Sequence, residues 1–202
     1  GAAYIFQRNH ATADAWDQVA KLVASDAAVE DFFGSSVAIS HGTVVVGARQ
    51  KGSGEVGAAY VFQRNWGGAD AWGEVVKLAP SDGEPEDHFG TAVAIDNDVI
   101  VVGAGTAGLN DDPGAAYVYE RNSGGADNWG HVATLTASDG ASYDYFGRAV
   151  AVSGDTVVVA ATGEGSSGAI YVFDRNEGGA ENWGEVIKVS SPTPDGGYDI
   201  FG

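Results

Sequence analysis

The chain has 202 residues, a formal net charge of −18 and no cysteine. So strong a negative charge argues against a nucleic acid or an anionic membrane as the partner, because both attract basic surfaces. Without cysteine the chain can form neither disulfide bonds nor thiolate metal sites, and no apolar run in it reaches the roughly 18 residues of a membrane-spanning helix.

The first predicted element is a strand over residues 1–9, where polar and apolar side chains alternate. The same segment returns at residues 57–65, 114–122 and 168–176. In each copy, a tyrosine and the aromatic residue two positions later share one face of the strand. These pairs are Tyr4 and Phe6, Tyr60 and Phe62, Tyr117 and Tyr119, and Tyr171 and Phe173.

A turn, Gly-rich in three of the four copies, leads from each of these strands to a second alternating strand that opens with tryptophan. We expect these tryptophans to be structural plugs between neighbouring sheets: Trp16, Trp72, Trp129 and Trp183. Trp66 lies in one of the turns and has no tryptophan counterpart in the other copies. Its ring either stacks on a sugar or peptide ligand or covers its own hairpin.

Each tryptophan strand runs into an acidic loop that ends in Phe-Gly. The four pairs begin at Phe33, Phe89, Phe146 and Phe201, so they recur at steps of 56, 57 and 55 residues. A period of this length predicts a repeat protein, in which a single unit cannot bury its apolar faces alone.

Two further strands follow each Phe-Gly. In the first full unit, the four strands are predicted over residues 36–40, 43–48, 58–63 and 72–78. The second of them is apolar on both faces, whereas the fourth has a polar face. A sheet graded from buried to solvent-facing is typical of a four-stranded β-propeller blade. Since no helical period of useful length occurs, the chain is predicted to be all-β.

The order of Phe-Gly, apolar strand, short turn and Val-Val-Val-Gly-Ala resembles the FG-GAP repeats of the integrin α-subunit propeller. The likeness is closest to bacterial FG-GAP repeat proteins, whose units read much like Leu135 to Gly147, and it covers essentially the whole chain. It implies four-stranded blades, usually seven to a ring.

By this reading, residues 1–33 form a half blade with strands three and four, and residues 34–89, 90–146 and 147–202 form one blade each. The chain then holds about three and a half blades and leaves strand edges open, which proteins avoid. We therefore expect a fragment of a longer propeller or a chain completed by another copy. The absence of methionine, even at position 1, favours a processed or excised segment.

The acidic loops carry a repeated pair of aspartates, which either bind Ca²⁺ or stabilise the turns by accepting backbone hydrogen bonds. Their presence in every repeat favours the turn interpretation, because a scaffold residue must recur whereas a ligand site need not. The pairs are Asp26 and Asp31, Asp82 and Asp87, Asp139 and Asp144, and Asp195 and Asp199.

The resemblance to integrin propellers implies calcium loops of the form Asp-x-Asp-x-Asp-Gly between strands one and two. The corresponding turns here, at residues 40–43, 96–98 and 153–156, are too short to wrap six or more oxygens around an ion. We therefore expect no required cofactor, although calcium remains an open alternative. The remaining metal candidates are Asn110, Asp111 and Asp112, in a longer loop.

The loops between strands two and three differ most between repeats, at residues 49–56, 105–113 and 162–167. They should share one edge of the propeller with the Phe-Gly loops, and variable loops on a rigid scaffold are where binding usually occurs. Candidate ligand-binding residues are Arg49, Lys51, Leu109 and Glu164, together with Trp66.

No catalytic arrangement stands out, because His10, His41, His88 and His131 occupy four different repeat positions. The resemblance implies a non-catalytic binding or adhesion module, extracellular or at the surface of a bacterial cell, with a protein or glycan ligand. Two alternatives remain: a carbohydrate-binding lectin, because some propellers with this repeat are similar to fungal lectins, and a structural spacer in a large surface protein.

Overall fold

A computed structural model describes residues 1–9, 15–105, 112–165, 167–180 and 182–190. These residues form fourteen strands and one short 3-10 turn, Ser53–Glu55. The strands are β1 Ala3–Arg8, β2 Trp16–Leu22, β3 Phe33–Ser40, β4 Thr43–Ala48, β5 Ala58–Arg64, β6 Trp72–Leu78, β7 Ala92–Asp96, β8 Val99–Ala104, β9 Ala115–Arg121, β10 Trp129–Leu135, β11 Phe146–Ser153, β12 Thr156–Ala161, β13 Ala169–Arg175 and β14 Trp183–Ser190.

The described strands make four antiparallel sheets in sequence order. The first sheet is the pair β1–β2, and the second (β3–β6), third (β7–β10) and fourth (β11–β14) have four strands each. Each four-stranded sheet is a meander in which every strand pairs with its neighbours in the chain. The predicted all-β architecture of four-stranded blades is confirmed.

In the second sheet, the predicted strand boundaries match the structure to within one residue except at strand one. β3 begins at Phe33, three residues before the predicted start, because Phe33 already pairs with Ala48 of β4. The chain then bulges, and regular pairing resumes with Ser36 opposite Gly47. A bulge of this kind leaves residues unpaired on one strand and redirects the strand, which hides the start of β3 from the alternation pattern.

The core lies between consecutive sheets. Every residue of β4 is buried, as expected for a strand that is apolar on both faces. Val44 and Val46 belong to the apolar cluster shared with the first sheet, whereas Val45 belongs to the cluster shared with the third sheet. A similar cluster joins the third and fourth sheets around Phe146 and Tyr171, so each sheet is stabilised by its neighbours.

The Phe-Gly phenylalanines explain the repeated aromatic pair on strand three. Phe33 packs edge-to-face on Tyr60 and Phe62, with ring centroids 5.5 and 6.1 Å apart, a favourable geometry for aromatic rings. The other described units repeat the contact, through Phe89 on Tyr117 and Tyr119 and through Phe146 on Tyr171 and Phe173.

The tryptophan prediction is confirmed at three positions and wrong at one. Trp129 is buried between the second and third sheets, and Trp72 and Trp183 pack against the neighbouring clusters. Arg121 also lies 5.0 Å above the ring of Trp129. Trp16 is 63% exposed, because β2 belongs to the first sheet, which packs against the second sheet through its other face.

Candidate functional site: the loop rim

The loops after strands two and four meet at one edge of the sheets, which we call the rim. Around the second sheet, the rim consists of residues 23–32, 49–57 and 79–88. The amide of Gln50 donates to the carbonyl oxygen of Asp31 at 3.3 Å, and the amide of Glu86 donates to that of Gly54 at 2.7 Å. These bonds confirm the prediction that both kinds of loop share one edge.

The second aspartate of each described pair stabilises its own turn. Asp31 accepts a hydrogen bond from the amide of Ala28 at 2.6 Å. Asp87 and Asp144 accept the corresponding amide bonds, both at 2.7 Å, from Glu84 and Ala141. For this second aspartate the turn interpretation is confirmed, and the donor lies three residues before the aspartate in the chain. Asp195 and Asp199 lie outside the described residues.

The first aspartate of the pair holds the loop to the following sheet. Asp26 accepts hydrogen bonds from the Tyr60 hydroxyl at 2.6 Å and from Lys77 Nζ at 2.8 Å. Desolvation by itself would raise the pKa of Asp26. The hydrogen bonds from Lys77 and Tyr60, together with the charges of Lys77 and Lys51, outweigh this effect and lower the pKa to about 2.

Asp139 repeats this arrangement at the fourth sheet. It accepts bonds from Lys188 Nζ at 2.7 Å and from the Tyr171 hydroxyl at 2.8 Å. The Lys188 bond, followed by the Tyr171 bond, lowers the pKa of Asp139. Desolvation and the bond to Asp139 in turn raise the pKa of Tyr171 to about 12. The same clasp of aspartate, tyrosine and lysine is thus built twice.

The acidic loop before the third sheet differs, because Thr134 occupies the position of Lys77 and Lys188. Desolvation raises the pKa of Asp87, and the charges of Asp112, Glu84 and Asp82 act in the same direction. Asp112 accepts a bond from the amide of Gly114 at 2.7 Å. Leu109, Asn110 and Asp111 lie outside the described residues. Among the described residues, no group of three or more His, Asp and Glu is arranged to hold a metal ion.

Of the predicted ligand-binding residues on the rim that the structure describes, only Arg49 is exposed. Its guanidinium lies 5.4 Å from the ring centroid of Phe32. Lys51 is buried, with Nζ 2.7 Å from Asp31 Oδ2. Glu164 is half-buried and accepts a bond from Lys188 at 2.6 Å. Lys51 and Glu164 are therefore committed to contacts within the protein.

A depression of about 380 Å³ opens on the rim of the second sheet. Val29 lines it with 91% of its surface exposed. Glu55 also lines it and lies 2.8 Å from the ring of His88. The lining residues are Ala28, Val29, Glu30, Asp31, Gln50, Lys51, Gly52 and Glu55. Val29 and Glu30 were not predicted as site residues from the sequence. A valine within an acidic loop is the one feature of the sequence that could have indicated them.

Trp66 lies at the opposite edge of the second sheet from the rim. The amide of Arg64, at the end of β5, donates to the carbonyl of Gly42 in the turn between β3 and β4, and that turn is far from Lys51 along the strands. Trp66 is 46% exposed, and its indole edge lies against Gly73 of its own hairpin. It therefore does not belong to the rim with Arg49.

The three described histidines are at separate places. His88 contacts Glu55, His131 lies against the rings of Tyr117 and Tyr119, and His41 contacts Ser40. His10 is outside the described residues. None of the described residues belongs to a helix long and apolar enough to cross a membrane.

Antiparallel four-stranded sheets in sequence order, packed face to face with their loops along one rim, define a protein of β-propeller-like blades. A family model for the FG-GAP repeat matches residues 16–62, 72–119 and 129–173, more than half of the chain. The chain belongs to the FG-GAP repeat family. No curated protein matches it.

Proposed function

We propose that the protein is a non-catalytic binding or adhesion module, extracellular or on a bacterial cell surface, that takes a protein or glycan ligand on the rim. Its blades form part of an integrin-like propeller of about seven blades. The observation that carries the proposal is the depression between two rim loops of the second sheet, with Val29 and Arg49 exposed beside it.

The scaffold beneath this depression supports a binding role. The buried Lys51 donates hydrogen bonds to the buried carboxylate of Asp31 and to the backbone carbonyl of Asp26, so the loops are held in place without a ligand. Pre-ordered loops lose little conformational entropy when a ligand binds. The exposed apolar side chain of Val29 and the ring of Phe32 offer contact area, and the neighbouring carboxylates favour a ligand with cationic or hydroxyl groups.

Arrays of glycans and of extracellular proteins test this function. We expect a specific ligand whose binding weakens at least tenfold in Val29→Glu or Arg49→Ala, each of which changes an exposed side chain without disturbing the Lys51 hydrogen bonds beneath. Trp66→Ala is the matched control at the opposite edge and should leave this binding unchanged. A specific ligand that is indifferent to both rim variants would contradict the proposed site, and no binding at all would favour the structural spacer.

The lectin alternative has its own observation in the half-exposed indole of Trp66. Indole rings stack on the apolar faces of sugars, but this ring already covers Gly73 of its own hairpin. Glycan binding that is lost in Trp66→Ala and retained in Arg49→Ala would establish the lectin function in place of rim binding.

A further inference from the structure

Asp82 and Asp139 hold the same position in the acidic loops before the third and fourth sheets, and each is followed by glycine. In an Asp-Gly pair the glycine amide nitrogen can reach the side-chain carbonyl carbon of the aspartate, because glycine has no side chain to hinder the approach. Both aspartates are exposed, so the contacts around each pair, and not its access to water, decide how freely it moves. A third such pair, Asp195 and Gly196, lies outside the described residues.

Both carboxylate oxygens of Asp139 are bound by side chains of the fourth sheet. The Tyr171 hydroxyl donates to one oxygen at 2.8 Å, and Lys188 Nζ donates to the other at 2.7 Å. A nitrogen attacks a neutral carboxyl group far more readily than an ionised one, and the Lys188 bond lowers the pKa of Asp139. The clasp therefore restrains this side chain and keeps its reactive form scarce.

Asp82 lacks the lysine of this clasp, because Thr134 stands at the corresponding position. The Thr134 hydroxyl lies 3.1 Å from a ring nitrogen of His131. Tyr117, near Asp82, is the clasp member that remains. The side chain of Asp82 therefore has fewer contacts to break before it can turn toward the following amide.

The serine before each aspartate shows the same difference. Glu185 accepts hydrogen bonds from the amide and the hydroxyl of Ser138, at 2.9 and 3.0 Å. Ser25, in the loop before the second sheet, makes the same pair of bonds to a glutamate. In the third sheet the glutamate position is held by His131. Among the described residues, Ser81 therefore has no counterpart of the carboxylate that ties the other two loops to their sheets.

The amide that follows each aspartate differs as well. The amides of Ala27 and Gly140 each donate to the carbonyl oxygen three residues earlier, that of Ala24 and that of Ala137, at 3.2 Å. Within the part of the chain that the structure describes, the amide of Gly83 makes no backbone hydrogen bond. The nitrogen that would attack the carboxyl group is thus held at one Asp-Gly pair and not at the other.

We propose that Asp82 is a site of spontaneous backbone modification, at which aspartate converts to isoaspartate, and that Asp139 is protected from the same reaction. The amide nitrogen of Gly83 forms a bond to Cγ of Asp82, and the carboxyl hydroxyl leaves as water together with the amide proton. Hydrolysis of the resulting succinimide adds one water back. Opening of the bond between this nitrogen and Cγ restores aspartate, whereas opening at the main-chain carbonyl carbon leaves isoaspartate.

The product adds one carbon to the main chain in the loop that leads to Phe89 and Gly90. This loop is joined to the neighbouring rim loop by the amide of Glu86, which donates to the carbonyl of Gly54 at 2.7 Å, and by that of Phe89, which donates to Val56 at 2.8 Å. A longer main chain displaces these donors. Conversion should therefore loosen the contact between the second and third sheets.

Incubation of the folded protein at neutral pH for several weeks, followed by peptide mapping, tests the proposal. Electron-transfer fragmentation in the mass spectrometer distinguishes isoaspartate from aspartate at each position. We expect isoaspartate to accumulate at Asp82 at least fivefold faster than at Asp139. In urea, where no fold protects either pair, the two rates should agree within about twofold.

Two matched variants test the physical reason. Thr134→Lys supplies the missing lysine and should slow the conversion at Asp82 severalfold, and Lys188→Thr should accelerate it at Asp139. Thermal melts show whether each variant is folded, and the comparison within the unchanged protein holds even where one is not. Equal rates at the two positions in the folded protein, faster conversion at Asp139, or a rate at Asp82 that folded Thr134→Lys leaves unchanged would overturn the proposal.

Discussion

Gly103, at the end of β8, lies against the carbonyl oxygen of Gly147, the glycine of the following Phe-Gly, so closely that a β-carbon at position 103 would overlap that oxygen. Gly47 has the same relation to Gly90. The glycine of each Gly-Ala pair that ends strand two therefore contacts the glycine of the next Phe-Gly, and this backbone contact joins consecutive sheets.

Gly103→Ala should destabilise the protein, because the added methyl group forces the third and fourth sheets apart. Overpacking of this kind costs about 1–3 kcal/mol, which urea unfolding would measure. Ala160→Gly, at the same register position of the fourth sheet, is the control and should cost no more than about 1 kcal/mol. A Gly103→Ala protein as stable as the unchanged chain would show that the contact does not constrain the stacking.

Acid should weaken the clasp at Asp26. The pKa of this group in the folded protein, about 2, is below the value of about 3.9 in an unfolded chain. Its contribution to stability is therefore complete above about pH 4 and is lost as the pH falls toward 2. The melting temperature should decline over this interval, and the decline should be smaller in Tyr60→Phe, which lacks one bond to the carboxylate. An identical pH profile in Tyr60→Phe would rule out this role of the hydroxyl.

Calcium should have little effect on stability. The turns between strands one and two hold two residues each, at 41–42, 97–98 and 154–155, too few to surround the ion. Millimolar calcium or excess EDTA should shift the free energy of unfolding by less than about 1 kcal/mol, a change of under about 4 °C in melting temperature for a chain of this size. A larger shift would reveal selective binding to the folded state and would direct attention to the acidic loops.

Far-UV circular dichroism should show a β-sheet spectrum with almost no helix. The described residues contain only one 3-10 turn, Ser53–Glu55, besides the strands. More than about a tenth helix, against the base rate of roughly one third in ordinary domains, would be incompatible with a chain of stacked β-sheets.

The strands could be predicted from the sequence because their side-chain alternation is local and is repeated. The start of β3 could not, since the pairing of Phe33 with Ala48 precedes a bulge that interrupts the alternation. The position of Trp66 at the edge opposite the rim was predictable, because a turn after an odd-numbered strand cannot lie beside a loop after an even-numbered one.

The contacts that fix the candidate site were harder to predict. Asp26 is bound by Lys77, fifty-one residues away, and Lys51, which the sequence offers as a ligand-binding side chain, turns inward to Asp31. Both contacts depend on how the loops fold over the edge of the sheet. Neither produces a periodic signal, so composition alone could not separate a solvent-facing lysine from a buried one.

A double-mutant cycle with Asp139→Ala and Tyr171→Phe, measured by urea unfolding, tests most directly whether the acidic loops hold consecutive sheets together. Tyr171 is fully buried and Asp139 is about half exposed, so the coupling between them should be about 1 kcal/mol. Each single variant should lower stability, and the double variant should cost less than the sum of the two. Strictly additive losses would mean that the hydroxyl and the carboxylate do not act together, and would contradict the clasp.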